Sequence, residues 1–195
     1  MKPILFLDVE TSGLPLWREP SGDPRQPHLV EVAALLVDPQ TREIIETLHD
    51  IVRPEGWTIP EDVVAIHGIT TERALAEGHP EEDTLNALLA LHGRCEFRVA
   101  HNETFAARMV RIACKRFLGD EVADAWKEAP SDCTARATRS LVALPRNKMP
   151  TLGEAYHHLF GEQLEGAHSA MVDVRACMRI FFHLQDIAAR TPAAA

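Results

Sequence analysis

Apolar residues fall into two patterns along this chain: short unbroken runs in the first third, and stripes spaced three or four apart through most of the remainder. Runs over 4–9, 29–37 and 44–52 are short and apolar enough to be strands. Asp38-Pro39-Gln40-Thr41 is a turn signal between the second and third, so those two form a hairpin beside the first. Phe97 to Ala100 and Asp132-Cys133-Thr134 supply two briefer strands. Leu85, Leu88, Leu89 and Leu91 mark a helix from Pro80 to His92 that closes on Gly93. Asn102 is placed as the N-cap of a helix carrying Phe105, Met109, Val110, Ile112 and Phe117. Further helices are expected over Ala135 to Val142, over Thr151 to Phe160 ending at Gly161, and from an N-cap at Ser169 to Ala189. Five strands with helices mostly in the second half describe an α/β chain, a mixed sheet flanked by helices.

Between these elements lie two long connections. Pro15 to Pro27 is rich in Pro, Gly and charge and contains Trp17; it reads as a substrate-facing flap or as an idle surface insertion. Residues 58–79 hold Ile66-His67-Gly68-Ile69-Thr70 and short helical material. Neither repeats nor a linker divide the 195 residues, so one domain over 1–195 is expected. No apolar run approaches the ~20 residues of a membrane span, and the N-terminus has no signal-type segment, which makes a cytoplasmic protein the default. The widely spaced Cys95, Cys114, Cys133 and Cys177 form no Cys-x-x-Cys pair and read as reduced thiols, mostly in the core.

The net charge of −9, taken as a sum, argues against a polyanionic partner, but its distribution changes that. Residues 1–97 hold 7 basic against 18 acidic side chains, whereas residues 98–195 hold 13 against 11. The basic excess gathers at Arg108, Arg111, Lys115 and Arg116 and again at Arg136, Arg139, Arg146 and Lys148. Each cluster is either a solvated helix face or a patch able to hold a few phosphates.

The chemistry begins where the first run ends, at Asp8 and Glu10. Side chains two apart on a strand share a face, so these carboxylates lie close and repel unless a cation separates them. Hard ions such as Mg²⁺ or Mn²⁺ take such ligands. Asp-x-Glu is common by chance, but acids do not normally end a run this apolar. Late in the chain His168 stands just ahead of a helix with Asp173 about one turn inside it; alone, that pair would pass for ordinary core or surface residues.

Taken together these segments resemble the DnaQ-like 3′–5′ exonucleases of the DEDDh type, which include the proofreading subunit of bacterial DNA polymerase III, exonuclease X and RNase T. Leu7-Asp8-Val9-Glu10-Thr11-Ser12-Gly13-Leu14 is similar to their first motif, Ile66 to Thr70 to their His-Gly-Ile-Thr segment, and Val99-Ala100-His101-Asn102-Glu103-Thr104-Phe105 to the second. Cys133-Thr134 matches the short Asp/Cys-Thr strand and His168 to Asp173 the third motif. The resemblance implies a ribonuclease H-like fold with a five-stranded mixed sheet. It also implies two metal ions about 4 Å apart that activate a water and stabilise the leaving 3′-oxygen. In that scheme Asp8 bridges both ions, Glu10 and Asp173 complete the first, and His168 deprotonates the water. Thr11, Leu14, His67, His101, Asn102 and Phe105 match positions around the terminal nucleotides. The expected partner is a single-stranded or frayed 3′ end, DNA rather than RNA, in short overhangs or repair intermediates. Members of the family act as monomers, as homodimers or with a polymerase partner, and the sequence does not choose among them.

One position departs from the pattern. The second motif ends in aspartate, and here Ala106 stands in its place. Glu103, one turn earlier, is expected to face solvent or the helix dipole rather than the site. Since every other motif position is intact and alanine leaves helix propensity undamaged, the favoured reading is a deliberate inactivating substitution in an otherwise active nuclease. The alternative is a natural pseudo-enzyme that binds nucleic-acid ends without cleaving them. A small-molecule metallohydrolase on the same fold is disfavoured by the basic clusters and the His-Gly-Ile segment.

Overall fold

A computed structural model describes residues 2–190. The strands are β1 (Ile4–Thr11), β2 (Leu29–Val37), β3 (Ile44–Arg53), β4 (His79–Pro80), β5 (Phe97–Ala100) and β6 (Ser131–Cys133). They form one sheet in the order β4-β3-β2-β1-β5-β6. Antiparallel pairing joins β1 to β2 and β2 to β3, while β5 lies parallel to β1 and β6 parallel to β5. The sheet therefore has six strands and not the expected five. β4 is only two residues long and pairs Val52 with His79 and Arg53 with Pro80, so it carries no apolar run that a sequence pattern would reveal. It can lie there because Gly78 has no side chain; a Cβ would stand 2.6 Å from the Arg53 backbone nitrogen.

The helices are α1 (Glu61–His67), α2 (Thr71–Glu77), α3 (Glu81–His92), α4 (Glu103–Phe117), α5 (Asp120–Glu128), α6 (Thr134–Val142), α7 (Leu152–Phe160) and α8 (Ala170–Arg190), with a 3₁₀ turn at Pro145–Asn147. Of these, α5 was not foreseen: Ala123 and Trp126 are its buried residues, too few to make a stripe. Local signals start and stop α7. Thr151 and Glu154 form a reciprocal capping box at α7, and Gly161 ends that helix in the left-handed region. Among the described residues no helix is long and apolar enough to cross a membrane.

The alternation along β1 assigns its faces. Leu5, Leu7 and Val9 join Leu85, Leu88, Met109, Ile112 and Trp126 in a core beneath α3, α4 and α5. Ile4 and Phe6 turn the other way, onto Val174, Cys177, Phe181 and Phe182 of α8. The Phe6 ring meets Phe181 edge-on at 5.3 Å. β1 is buried on both sides, as a central strand must be. Continuing the even series past Phe6 brings Asp8 and Glu10 to the α8 face, where Asp173 sits.

Candidate active site

Asp8, Glu10 and Asp173 crowd together at the end of β1. Burial pushes the Asp8 carboxyl well up from its ordinary value, and Asp173, Glu10 and Glu31 push it further. Glu10 is raised to about 8 by burial, then by Asp173 and Glu31. Asp173 is raised chiefly by burial, against a lowering contribution from the His168 backbone N–H, which donates to its Oδ2 at 3.0 Å. Its other oxygen, Oδ1, is buried and has no hydrogen-bond partner. One ligand atom each from Glu10, His168 and Asp173 lies within 4.8 Å of the other two. An orphaned carboxylate oxygen among oxygen and imidazole donors is a donor set that fits a divalent cation.

His168 reaches this group through a backbone twist, φ 69°, immediately before α8. What fixes α8 itself is Glu31, a residue the sequence reading passed over. Glu31 pairs with Glu10 across β1 and β2 and shares its face. Buried, it accepts from the Ala170 N–H at 2.8 Å through Oε2 and meets His49 Nε2 at 2.6 Å through Oε1. Both oxygens are thus engaged, and Glu31 anchors the start of the helix that carries Asp173. The signal was available: Glu31 is the lone charge inside an otherwise apolar nine-residue strand.

A cleft of about 700 Å³ opens over the acids, and Asp8, Glu10, Thr11, Leu14, His67, His101, Asn102, Phe105, His168 and Asp173 all line it. Their individual duties differ. Thr11 Oγ1 donates to the Gly13 carbonyl at 2.9 Å, which shapes the turn presenting Leu14, 77% exposed. His67 Nδ1 accepts from the Ile69 N–H, so Nε2 carries the ring proton, and that nitrogen is buried without a partner. Burial also lowers the His67 pKa, keeping the ring neutral. His101 Nε2 meets the Pro150 carbonyl at 3.0 Å and can only donate there. With the ring kept neutral by burial, Nδ1 accepts from the Thr134 hydroxyl. His101 therefore ties the residue 149–151 segment to the rim. Asn102 is the N-cap of α4 by position, as expected, but its backbone is left-handed, φ 60°, and its side chain makes no capping bond.

Ala106 is buried, 2% exposed, in the core under the cleft and does not line it. Glu103 stays away from the acids, as expected, at the first turn of α4, but it does not face solvent. It is buried against Arg98, whose Nη2 lies at 2.9 Å, with Arg136 at 3.8 Å. The Arg98 guanidinium also donates to the Trp126 carbonyl and sits 4.3 Å over that indole. Removing one member strands a buried charge, so Glu103→Ala is expected to cost about 3–5 kcal/mol. Urea denaturation would measure it; a loss under about 1 kcal/mol would mean that the pair is solvent-relaxed.

The basic clusters are largely committed elsewhere. Lys115 pairs with Asp120 and Asp124, Arg116 with Glu81, Lys148 with Glu154, and Arg139 donates to the Asn147 carbonyl. The loop from Pro15 to Pro27 is anchored to its own turns and to α4. The Gln26 amide bonds Leu16 and Pro20, Arg116 donates to the Gln26 and Pro27 carbonyls, and Arg108 donates to the Glu19 carbonyl. The cysteines are free thiols, with Cys114, Cys133 and Cys177 buried as expected.

A family model described as an exonuclease, RNase T, matches residues 5–181. No curated protein sequence matches the chain. Among solved structures, the zinc-bound complex of Escherichia coli exonuclease I with single-stranded DNA is similar over 97% of this chain and 42% of that one, at 22% identity and TM-score 0.78. E. coli exonuclease I in complex with a dA16 oligonucleotide is similar over 95% and 41%, at 21% identity and TM-score 0.74. An exonuclease I complex with the SSB C-terminus has TM-score 0.75 at 20% identity, over 97% and 42%. The chain spans about two fifths of the length of these structures.

Proposed function

This chain belongs to the RNase T exonuclease family, and from that premise we propose that its cleft is the active site of a 3′–5′ exonuclease acting on single-stranded or frayed DNA ends. The observation that carries the reading is the partnerless Asp173 Oδ1 beside Glu10 and His168, with Asp8 pressed against them. A divalent ion such as Mg²⁺ or Mn²⁺ in this site supplies Lewis acidity and lowers the pKa of a bound water. Asp8, Glu10 and Asp173 would hold it. His168, exposed at the rim, takes the proton of the attacking water as the bond from phosphorus to the 3′-oxygen breaks. His67 Nε2–H is a buried ring donor on the cleft wall without a partner among the described residues, placed to serve a substrate oxygen. Leu14 and Phe105 offer apolar surface to the terminal base, which favours unpaired ends.

DNA is favoured over RNA because the structural neighbours hold single-stranded DNA oligonucleotides. Ala106 leaves the second ion without its own carboxylate, so the chain as it stands holds one ion well and turns over slowly. Fluorescence anisotropy with Mn²⁺ tests the end preference. A ten-nucleotide single strand is expected to bind about tenfold or more tighter than the matching blunt duplex, the worth of one stacked base. Equal affinity for both would overturn the single-strand reading.

A further inference from the structure

On the other flank of the first turn of α4 lies a second pocket, of about 260 Å³, lined among others by Trp17, Thr104, Arg108, Arg111 and Lys127. We propose that it binds the phosphodiester backbone of the same single strand just upstream of its 3′ end, with Trp17 as the platform for a base. The proposal rests on the exonuclease reading of the neighbouring cleft.

Three observations carry it. First, the pocket gathers four cationic side chains, Arg98, Arg108, Arg111 and Lys127, about an aromatic one, Trp17, that is 54% exposed. Aromatic surface interleaved with arginine and lysine is the chemistry of strand binding irrespective of sequence. Second, these arginines are incompletely served by the protein. Arg108 spends Nη2 on the Glu19 carbonyl and Arg111 spends Nη2 on Asp124, yet Nε of each is shielded and has no partner. Arg108 also feels Arg111 as a like charge, which together with burial lowers its pKa. The acid in the pocket wall, Glu103, is already neutralised by Arg98. Lys127 pairs with the exposed Glu128 at 3.0 Å, a surface contact worth little, whereas Lys115 and Arg116 of α4 pair with acids that lie outside the pocket wall. Third, the pocket neighbours the cleft along the chain: Phe105 lines the cleft and the adjacent Thr104 lines the pocket; Leu14 lines the cleft, and Trp17, on the same anchored loop, lines the pocket.

The test compares fluorescein-labelled dT3 and dT12, each with a 3′-terminal phosphorothioate, for anisotropy with the full chain in Mn²⁺. Arg108→Gln with Arg111→Gln is expected to weaken dT12 about tenfold and to lower its salt slope by about two, leaving dT3 within about twofold. Trp17→Ala with Lys127→Gln, which leaves the Glu19 anchor in place, is expected to act in the same direction on dT12 alone. Unchanged dT12 affinity and salt slope in both variants would overturn the proposal, and so would equal losses on dT3 and dT12. Should those variants leave dT12 unaffected while Asp8→Asn weakens dT3, the pocket assignment falls and the exonuclease reading stands. If the wild-type chain binds neither oligonucleotide, both fall.

Discussion

Ala106→Asp is expected to raise the rate of mononucleotide release from a single-stranded oligonucleotide about a hundredfold or more, the scale on which single stabilisers of transition-state charge act. Position 106 lies one turn along α4 from Asn102, which lines the cleft, and the Ala106 N–H bonds the Asn102 carbonyl. Residues four apart share a helix face and side chains tilt toward the helix N-terminus, so a carboxylate at 106 leans back toward the acids. It would join Asp8, Glu10 and Asp173 as a fourth oxygen donor, and calorimetry should then count two Mn²⁺ ions per chain in place of one. The same change has a stability cost that a merely better enzyme would not show. Alanine is replaced by a poorer helix former at a buried site, and a further negative charge enters a cluster already crowded enough to raise the Glu10 pKa to about 8. Without metal the variant is expected to be less stable than the parent by about 1–3 kcal/mol. Tight oligonucleotide binding with no gain in turnover would instead mark the chain as a binding protein on a nuclease fold.

The second large effect concerns Asp8. Asp8→Asn is expected to abolish Mn²⁺ binding and, in chelator, to make the protein more stable at pH 8. The sign follows from the direction of the shifts. Asp8, Glu10 and Asp173 all have folded-state pKa values above their ordinary ones. At low pH these groups are protonated in folded and unfolded chains alike and nothing is lost. As pH rises past the ordinary carboxylate range the unfolded chain ionises first, so stability declines toward pH 8, where Glu10 follows. A melting series in chelator should therefore fall between pH 5 and pH 8, and Mn²⁺ should restore more of it at the alkaline end. Asp8→Asn removes part of that decline, worth about 1–2 kcal/mol or a few degrees in Tm at this size. A flat profile in the wild type, or Mn²⁺ affinity unchanged in the variant, would remove Asp8 from the metal site.

Why some of this was legible before any coordinates is itself physical. The even positions of β1 run Ile4, Phe6, Asp8, Glu10, and a period of two admits one reading of which face they share. The long helices and their glycine stops at Gly93 and Gly161 were equally plain, because periodicity and capping act locally. Failures came where a residue's role depends on distant partners. Glu103 looks like an N-terminal helix acid until Arg98, five residues back on β5, is seen buried against it. Glu31 and Ala170 are 139 residues apart in sequence, and only the packed sheet makes one the anchor of the other. Asn102 has the composition of a cap, but the abrupt exit from β5 into α4 takes a left-handed residue there, which asparagine tolerates well. Helix α5 and strand β4 escaped notice because each buries too little to leave a pattern.

The most direct test of the site is a length-resolved digest by the Ala106→Asp protein of a 5′-labelled single-stranded DNA in Mg²⁺. Expected is a ladder of labelled products shortening one nucleotide at a time from the 3′ end, absent when Asp8→Asn is added. Internal fragments, shortening from the 5′ end, or a ladder that survives the loss of Asp8 would contradict the assignment of the cleft as a 3′–5′ exonuclease site.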